Sequence, residues 1–134
     1  MSQNKTESSA APVATYTLRV IERFEAAHAL RSYKGAPEPV HGHSWRVEAV
    51  LETEALDDEG MAYDFVEIKT ALRELAGRFH HADINSVPPF DVLSPTTEHL
   101  ARYFHQELST RLPDAPVVAV TVWEGPDCAA TYRT

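Results

Sequence analysis

The chain has 134 residues, of which 43% are apolar, and a formal net charge of −8. This size and composition suit one domain that buries a substantial core. The acidic balance argues against nucleic acid as a partner, because a phosphate backbone needs a basic surface. No apolar run approaches the ~20 residues that a membrane span requires, and the lone Cys128 excludes an internal disulfide. The N-terminus lacks the pattern of a signal peptide, so a cytoplasmic location is expected.

The N-terminal part of the chain predicts a tail followed by a strand. Residues 1–13 are small and polar, which predicts a disordered tail and leaves 14–134 as a single domain. From Tyr16 to Val20 apolar and polar residues alternate, and this period-two pattern indicates a strand that continues toward His28.

A second strand follows after a loop. Residues 32–39 contain one glycine and two prolines and are predicted to be this loop. Alternation resumes over about 43–53, which predicts the second strand. A turn at 57–60 and a short extended piece at 61–63 complete an expected antiparallel ribbon.

Helix one is predicted to begin at Asp64. Asp64 is a good N-cap, and Glu67 lies at the capping-box spacing from it. The helix carries an apolar stripe of Phe65, Ile68, Leu72, Leu75 and Phe79.

Helix two is predicted to begin near Thr96 or Thr97, after a proline-bearing loop. Its apolar stripe consists of Leu100, Tyr103, Phe104, Leu108 and Leu112. His99 and His105 on the same helix are interpreted as surface or packing residues.

The last two elements are a buried strand over 117–123 and a short strand over about 129–133. The resulting order, β-β-α-α-β-β, predicts an α+β domain with a four-stranded antiparallel sheet and both helices on one face. Such a sheet leaves its edges open, so association into an oligomer is expected.

Three histidines form the candidate metal site. His41 and His43 are two residues apart on a predicted strand and therefore point to one face, with Gly42 facing away. His28, from the neighbouring strand, would complete the set. Three protein ligands with one open position are typical of a catalytic zinc site. A His-x-His pair alone is weak evidence, because histidines often only pack or face solvent.

Other polar residues are candidates for acid–base chemistry. His80 and His81 follow helix one, where histidine serves equally well as a proton carrier or as a cation at the helix C-terminus. Glu38, three residues before His41, is a candidate general base, although a solvated loop carboxylate is the commoner case.

Two further groups are candidates for binding substrate. Thr96, Thr97 and Glu98 open helix two, where such residues also stabilise any helix. Glu124 ends a buried strand and can accept two hydrogen bonds from an amidine-like pair of N–H groups, and an exposed strand end explains it equally well.

An ordered set of motifs covers about Tyr16 to Arg133: Phe24-Glu25-Ala26-Ala27-His28, His41-Gly42-His43, Asp64-Phe65 with Lys69, His81 with Ile84-Asn85, Pro95-Thr96-Thr97-Glu98, Glu124 and Tyr132. This set resembles the 6-pyruvoyl-tetrahydropterin synthase / 6-carboxytetrahydropterin synthase family. The resemblance implies the tunnelling fold, in which subunits join their sheets into a barrel, commonly a hexamer built from two trimers. It also implies a pterin site at a subunit interface.

The resemblance implies roles for the candidate residues as well. Zinc (Zn²⁺) would be bound by His28, His41 and His43. Glu124 matches the glutamate that binds the amino-pyrimidine edge of the pterin, helped by Thr96, Thr97 and Glu98, and His81 matches the catalytic histidine. The implied substrate is 7,8-dihydroneopterin triphosphate.

Two residues depart from the common family pattern. Common members have a proton-accepting cysteine shortly before the His-Gly-His, but residues 35–40 contain none. Instead, Glu38 precedes His41-Gly42-His43 in the pattern Glu-x-x-His-Gly-His, which marks a branch associated with cleavage to 6-hydroxymethyl-dihydropterin, a folate precursor. His80 stands where an aspartate is usual.

The sequence therefore predicts a zinc-dependent lyase that cleaves the substrate side chain in a retro-aldol sense, with Glu38 as base, His81 as proton donor and His80 beside it. Synthesis of 6-carboxytetrahydropterin, on the route to queuosine, or of 6-pyruvoyl-tetrahydropterin is the alternative within the family. A member that binds zinc and pterin without turnover is a third possibility. The whole motif set disfavours a plain zinc hydrolase.

Overall fold

The structure is a computed structural model that describes residues 12–134. The predicted disordered tail at 1–13 lies outside the described residues, apart from residues 12 and 13, which belong to no helix or strand. Among the described residues, no helix is long and apolar enough to cross a membrane.

The predicted order of strands and helices is confirmed, with one additional strand. The elements are β1 (Tyr16–His28), β2 (His41–Thr53), α1 (Phe65–Gly77), β3 (Ala82–Asp83), a 3₁₀ turn (Ile84–Ser86), α2 (Thr97–Arg111), β4 (Val117–Glu124) and β5 (Cys128–Arg133). The short extended piece predicted at 61–63 is not a strand, so the expected ribbon consists of β1 and β2 alone.

The sheet has five strands in the order β3-β1-β2-β4-β5, so the prediction of four was one too few. β3 also runs parallel to β1, whereas all the other pairs are antiparallel. A strand of two residues is too short to leave a periodic pattern, since alternation needs at least four residues to be recognised. β3 nevertheless covers the end of β1, next to His28.

The helix boundaries follow from side-chain caps. The Asp64 carboxylate accepts the N–H of Val66 over 2.9 Å at the start of α1, and the Thr96 hydroxyl accepts the N–H of His99 over 3.0 Å at the start of α2. Glu67 does not return a bond to Asp64, as a full capping box would, and its nearest hydroxyl partner is Tyr63 at 3.4 Å.

Both helices pack on one face of the sheet, as predicted. Phe24 of β1 and Trp45 of β2 stack in this core with ring centroids 6.0 Å apart, and Phe104 of α2 lies against Phe24 at 5.9 Å. The core also contains Val47, Ala49, Ile68, Leu72, Leu75, Phe79, Leu100, Leu108, Val120 and Val122. We call this side the covered face.

The other side, which we call the open face, carries no helix and is mainly polar. Its residues are Arg19, Ile21, Arg23, Glu25 and Ala27 of β1, Gly42, Ser44, Arg46, Glu48 and Val50 of β2, Ala119, Thr121 and Trp123 of β4, and Ala129, Thr131 and Arg133 of β5. Within the described range, β1 is paired on its outer side only at Ala26 and Ala27, and the outer side of β5 pairs with no strand. Both edges are therefore open to another copy.

Candidate active site and metal centre

The three predicted metal ligands meet at the ends of β1 and β2. His28 and His41 are direct partners across the antiparallel ladder, and His43 is two residues further on, so all three rings project from the covered face. Their ring centroids are 4.7 to 5.3 Å apart, and one nitrogen of each lies within 4.8 Å of the others. The register of the two strands thus creates the triad.

Backbone carbonyls determine which nitrogen of two ligands is free. Nδ1 of His28 lies 2.9 Å from the carbonyl oxygen of Pro95, and Nδ1 of His41 lies 2.9 Å from that of Pro39. A carbonyl only accepts, so both Nδ1 atoms carry the proton and donate it. Nε2 of each ring therefore keeps its lone pair, which is how metal-binding histidines are commonly oriented.

The chemistry of the triad fits a metal ion. Nε2 of His28 and Nε2 of His43 are buried and have no hydrogen-bond partner among residues 12–134, although buried ring nitrogens usually have one. Burial lowers the pKa of His28, and this outweighs the opposing effects of the Pro95 carbonyl and of Glu124. His28 is thus held in the neutral form that binds metal, and three imidazoles suit zinc.

Glu124 lies against the triad. Its Oε1 accepts a hydrogen bond from the Thr97 hydroxyl over 2.9 Å and is 3.7 Å from Nε2 of His28, while its Oε2 is 3.4 Å from Nε2 of His43. β4 pairs with β2 so that Glu124 is opposite Trp45, which brings the carboxylate to this end of the sheet. The carboxylate therefore lies next to the nitrogens that would bind the metal.

The three candidate substrate-binding residues at the start of α2 have different contacts. Thr96 caps the helix, Thr97 orients Glu124, and Glu98 is exposed in the first turn with no hydrogen-bond partner within the described range. Of the two candidate pterin-binding carboxylates, Glu98 thus has both oxygens free, whereas Glu124 has one oxygen bound to Thr97.

Glu38 is held at the rim of the triad. The N–H of Leu30 donates to its Oε1 over 3.0 Å, and the N–H of Glu38 donates to the Leu30 carbonyl over 3.1 Å. The same Oε1 is 3.8 Å from Nδ1 of His41. The carboxylate therefore lies beside the ligand ring, on the side of the nitrogen that does not face the metal position.

His80 and His81 have no direct contact with the triad rings in the part of the chain that the structure describes. The N–H of His81, at a left-handed φ of 61°, donates to the Glu25 carbonyl, and Nδ1 of His80 accepts the N–H of Glu25 over 3.1 Å. The two imidazoles stack with centroids 3.8 Å apart. His81 lines a cleft of about 530 Å³ with Glu25, Ala27 and Ser44 of the open face and with His43 of the triad. No hydrogen bond or ring contact joins either histidine to the triad within residues 12–134.

Two features of the site were not predicted. The Asn85 side chain pairs with the backbone of Ala29 through two hydrogen bonds of 2.8 Å and so fixes the chain just after His28. Cys128 is the direct cross-strand partner of Glu124 in the tight hairpin that joins β4 to β5. The role of Asn85 has no local pattern that indicates it, because it depends on pairing between distant segments.

Comparison with known proteins agrees with this fold and site. A family model described as 6-pyruvoyl tetrahydropterin synthase matches residues 17–134. The chain is 30% identical over 110 residues to a dihydroneopterin monophosphate aldolase of Pyrococcus furiosus, covering 80% of this chain and 90% of the relative. It is 29% identical over 120 residues to a 6-carboxy-5,6,7,8-tetrahydropterin synthase of Aquifex aeolicus, covering 70% and 74%.

Among solved structures, the 6-pyruvoyl tetrahydropterin synthase of Caenorhabditis elegans superposes with a TM-score of 0.79 at 24% identity, over 91% of this chain and 97% of that one. An α+β domain with this five-stranded sheet and two helices has the tunnelling fold. The chain belongs to the 6-pyruvoyl tetrahydropterin synthase family, and it is a lyase-type enzyme with a role in processing pterins.

Proposed function

We propose that the chain is a zinc-dependent lyase that cleaves the side chain of a phosphorylated 7,8-dihydroneopterin to 6-hydroxymethyl-dihydropterin. The observation that carries this proposal is the carboxylate of Glu38, held at the rim of the histidine triad where common family members have a cysteine. Similarity to a dihydroneopterin monophosphate aldolase supports the same reaction. The substrate has one or three phosphates, and the experiment below distinguishes them.

The residues of the triad suit the metal in this role. Zinc would be held by Nε2 of His28, Nε2 of His41 and the buried, unpartnered Nε2 of His43. When bound, it supplies Lewis acidity that lowers the pKa of a substrate hydroxyl.

Glu38 would act as the base of the retro-aldol step. It removes the proton from the hydroxyl on the second side-chain carbon, and the bond between the first and second carbons breaks. The second carbon leaves as the aldehyde of a two-carbon phosphorylated fragment, while the electron pair passes into the dihydropterin imine. A proton then returns to the first carbon, and His81 is the proposed donor, with His80 stacked against it.

The location of His81 supports an oligomer. Its cleft lies mainly on the open face and reaches His43, whereas the triad rings project from the covered face, so we propose that His81 of one subunit serves the triad of another. The unpaired edges of β1 and β5 suit such an assembly, and a hexamer of two trimers is the proposed form. Glu98, Glu124, Thr96 and Thr97 would bind the pterin beside the metal.

Product analysis tests the proposal. Zinc-loaded protein is incubated separately with dihydroneopterin monophosphate and triphosphate, and the products are identified by mass. We expect 6-hydroxymethyl-dihydropterin and a phosphorylated two-carbon aldehyde from at least one of them. A product that keeps all three side-chain carbons would refute cleavage and support the pyruvoyl route instead.

Synthesis of 6-carboxytetrahydropterin is the second candidate, favoured by the name of the Aquifex aeolicus relative. The absence of cysteine from residues 35–40 counts against it, since a carboxylate such as that of Glu38 differs from a thiolate in softness and reach. Loss of the two-carbon fragment together with a carboxylate at the remaining carbon would identify this activity. Binding of pterin with no product from either substrate would indicate a member without catalysis.

A further inference from the structure

Two arginines of the open face oppose each other directly. Arg23 of β1 and Arg46 of β2 are cross-strand partners in the antiparallel ladder. Neither forms an ion pair with a carboxylate in the part of the chain that the structure describes. Like charges directly opposite each other destabilise a sheet. Because the chain has a net charge of −8, a generally basic surface does not explain this pair of arginines.

The nearby carboxylates of this face already have partners. Glu48 pairs with Arg19 over 2.9 Å, and Oε1 of Glu25 accepts the Ser44 hydroxyl over 2.7 Å. Glu25 keeps its charge and lines the same cavity as the two arginines, but neither carboxylate forms an ion pair with Arg23 or Arg46.

Arg46 also has donors without acceptors around it. Its guanidinium lies over the Trp123 ring, 4.5 Å from the centroid, and this stacking fixes the plane of the group. Nε of Arg46 and Nε1 of Trp123 are both buried and lack a hydrogen-bond partner within residues 12–134. Buried donors normally have an acceptor, so the two point to a missing acceptor ligand.

Arg23 and Arg46 line a concave site. A cavity of about 200 Å³ is formed by Arg23, Arg46, Ser44 and Glu25 together with the Gly125-Pro126 turn and Trp45. It shares Glu25 and Ser44 with the cleft that contains His81. The arginine pair therefore borders the part of the open face that holds the proposed proton donor.

We propose that Arg23 and Arg46 form a phosphate-binding site on the open face. Planar guanidinium groups bind phosphate oxygens in pairs, which makes arginine the suitable residue for this ligand. The phosphate belongs either to the phosphorylated pterin or to free phosphate compounds. Only the first of these assignments rests on the proposed function. In that case one subunit supplies both the phosphate site and His81 to the metal site of its neighbour.

Calorimetric titration with inorganic tripolyphosphate tests the site itself. The variants are R23Q, R46Q and the double variant, and R19Q is the matched control because Arg19 is on the same face and its charge is already paired with Glu48. We expect each single variant to weaken binding about tenfold, the scale of one charge-assisted hydrogen bond, and R19Q to change it less than about twofold. Equal losses in R19Q and R46Q, or no binding by the parent protein, would overturn the proposal. Thermal melts of all variants check that they fold.

Steady-state kinetics of the same variants identify the source of the phosphate. If it belongs to the substrate, R23Q and R46Q raise KM for the phosphorylated dihydroneopterin and leave KM for unphosphorylated dihydroneopterin unchanged. If R23Q and R46Q weaken tripolyphosphate binding but leave both KM values unchanged, the phosphate site is supported and its ligand is a free phosphate compound. A protein that binds tripolyphosphate through this pair but cleaves no pterin would disprove the proposed function alone. Cleavage with unaltered tripolyphosphate binding in the double variant would disprove the phosphate site alone.

Discussion

The hydroxyl of Thr97 donates a hydrogen bond of 2.9 Å to the carboxylate of Glu124, which joins the first turn of α2 to the end of β4 beside the histidine triad. Because the two carboxylate oxygens of Glu124 are within 3.7 Å of Nε2 of His28 and of His43, this bond fixes the polar surroundings of the candidate metal position. Residues that surround the metal ligands without binding the metal themselves can orient those ligands.

Replacing Thr97 by valine should therefore weaken zinc binding. The change removes the donor, and since Thr97 acts on the ligands only through Glu124, we expect a loss of at most about tenfold, the lower end of the range for a residue bonded directly to a metal ligand. Competition with a fluorescent chelator measures the affinity. Thr110→Val in the same helix is the control, because the Thr110 hydroxyl bonds only to the Gln106 carbonyl. Equal affinity in both variants would show that Glu124 needs no such orientation.

Substitutions of Glu38 and of Cys128 are expected to have different effects on kcat. Glu38→Gln should lower kcat by about a hundredfold or more, the usual scale for a lost general base, with zinc content unchanged. Cys128→Ser should leave kcat unchanged, although Cys128 is opposite Glu124 in the hairpin, because its side chain is exposed and has no assigned step. Steady-state kinetics on metal-loaded protein separates the two. A large loss in Cys128→Ser would mean that this thiol replaces the missing family cysteine.

The proposed sharing of sites between subunits predicts complementation. His43→Ala removes a ligand and His81→Ala removes the proton donor, so each variant alone should be inactive. In co-expressed mixed oligomers, about a quarter of composite sites receive an intact triad from one subunit and an intact His81 from another, if subunits mix at random. Activity of the purified mixed oligomer is the readout. No recovery above the two parents would place both functions within one subunit.

Protonation of His105 should reduce stability at mildly acidic pH. His105 is buried against Tyr132, with Thr134 3.4 Å from its Nε2, and burial lowers its pKa from the ordinary 6.5. Below about pH 6.5, His105 therefore binds a proton in the unfolded chain while it stays neutral in the folded chain. The free energy of unfolding consequently falls as the pH falls toward the pKa of His105 in the folded chain. Above that range the stabilisation is fully present.

Urea unfolding between about pH 7.5 and about pH 5.5, with chelator present, measures this slope. His105→Gln should have a shallower dependence than the parent protein. Parallel curves for the two proteins would show that His105 does not contribute.

Local patterns predicted the elements that have enough residues to repeat. The alternation from Tyr16 onward, and the caps at Asp64 and Thr96, identified β1 and the starts of both helices. The meeting of His28 with His41 was also predicted, because the two residues stand at the ends of consecutive strands that residues 29–40 connect. β3 was missed because its two residues carry no period.

The surroundings of the triad were less predictable, because they depend on contacts between distant segments. Glu124 reaches His43 only because β4 pairs with β2, a strand far away in the sequence. Cys128 lies opposite Glu124 through the separate hairpin of β4 and β5. The sequence indicated that His81 is a candidate for proton transfer, but it did not indicate the face of the sheet on which His81 lies.

The fate of solvent hydrogen during turnover in D₂O tests the proposed cleavage most directly. Retro-aldol cleavage protonates the first side-chain carbon from the solvent pool, so we expect 6-hydroxymethyl-dihydropterin with one deuterium on its hydroxymethyl carbon. The released two-carbon phosphorylated aldehyde should contain no carbon-bound deuterium. Mass spectrometry and proton NMR of the products measure both. A product that retains three side-chain carbons, with deuterium introduced through tautomerisation, would contradict the account.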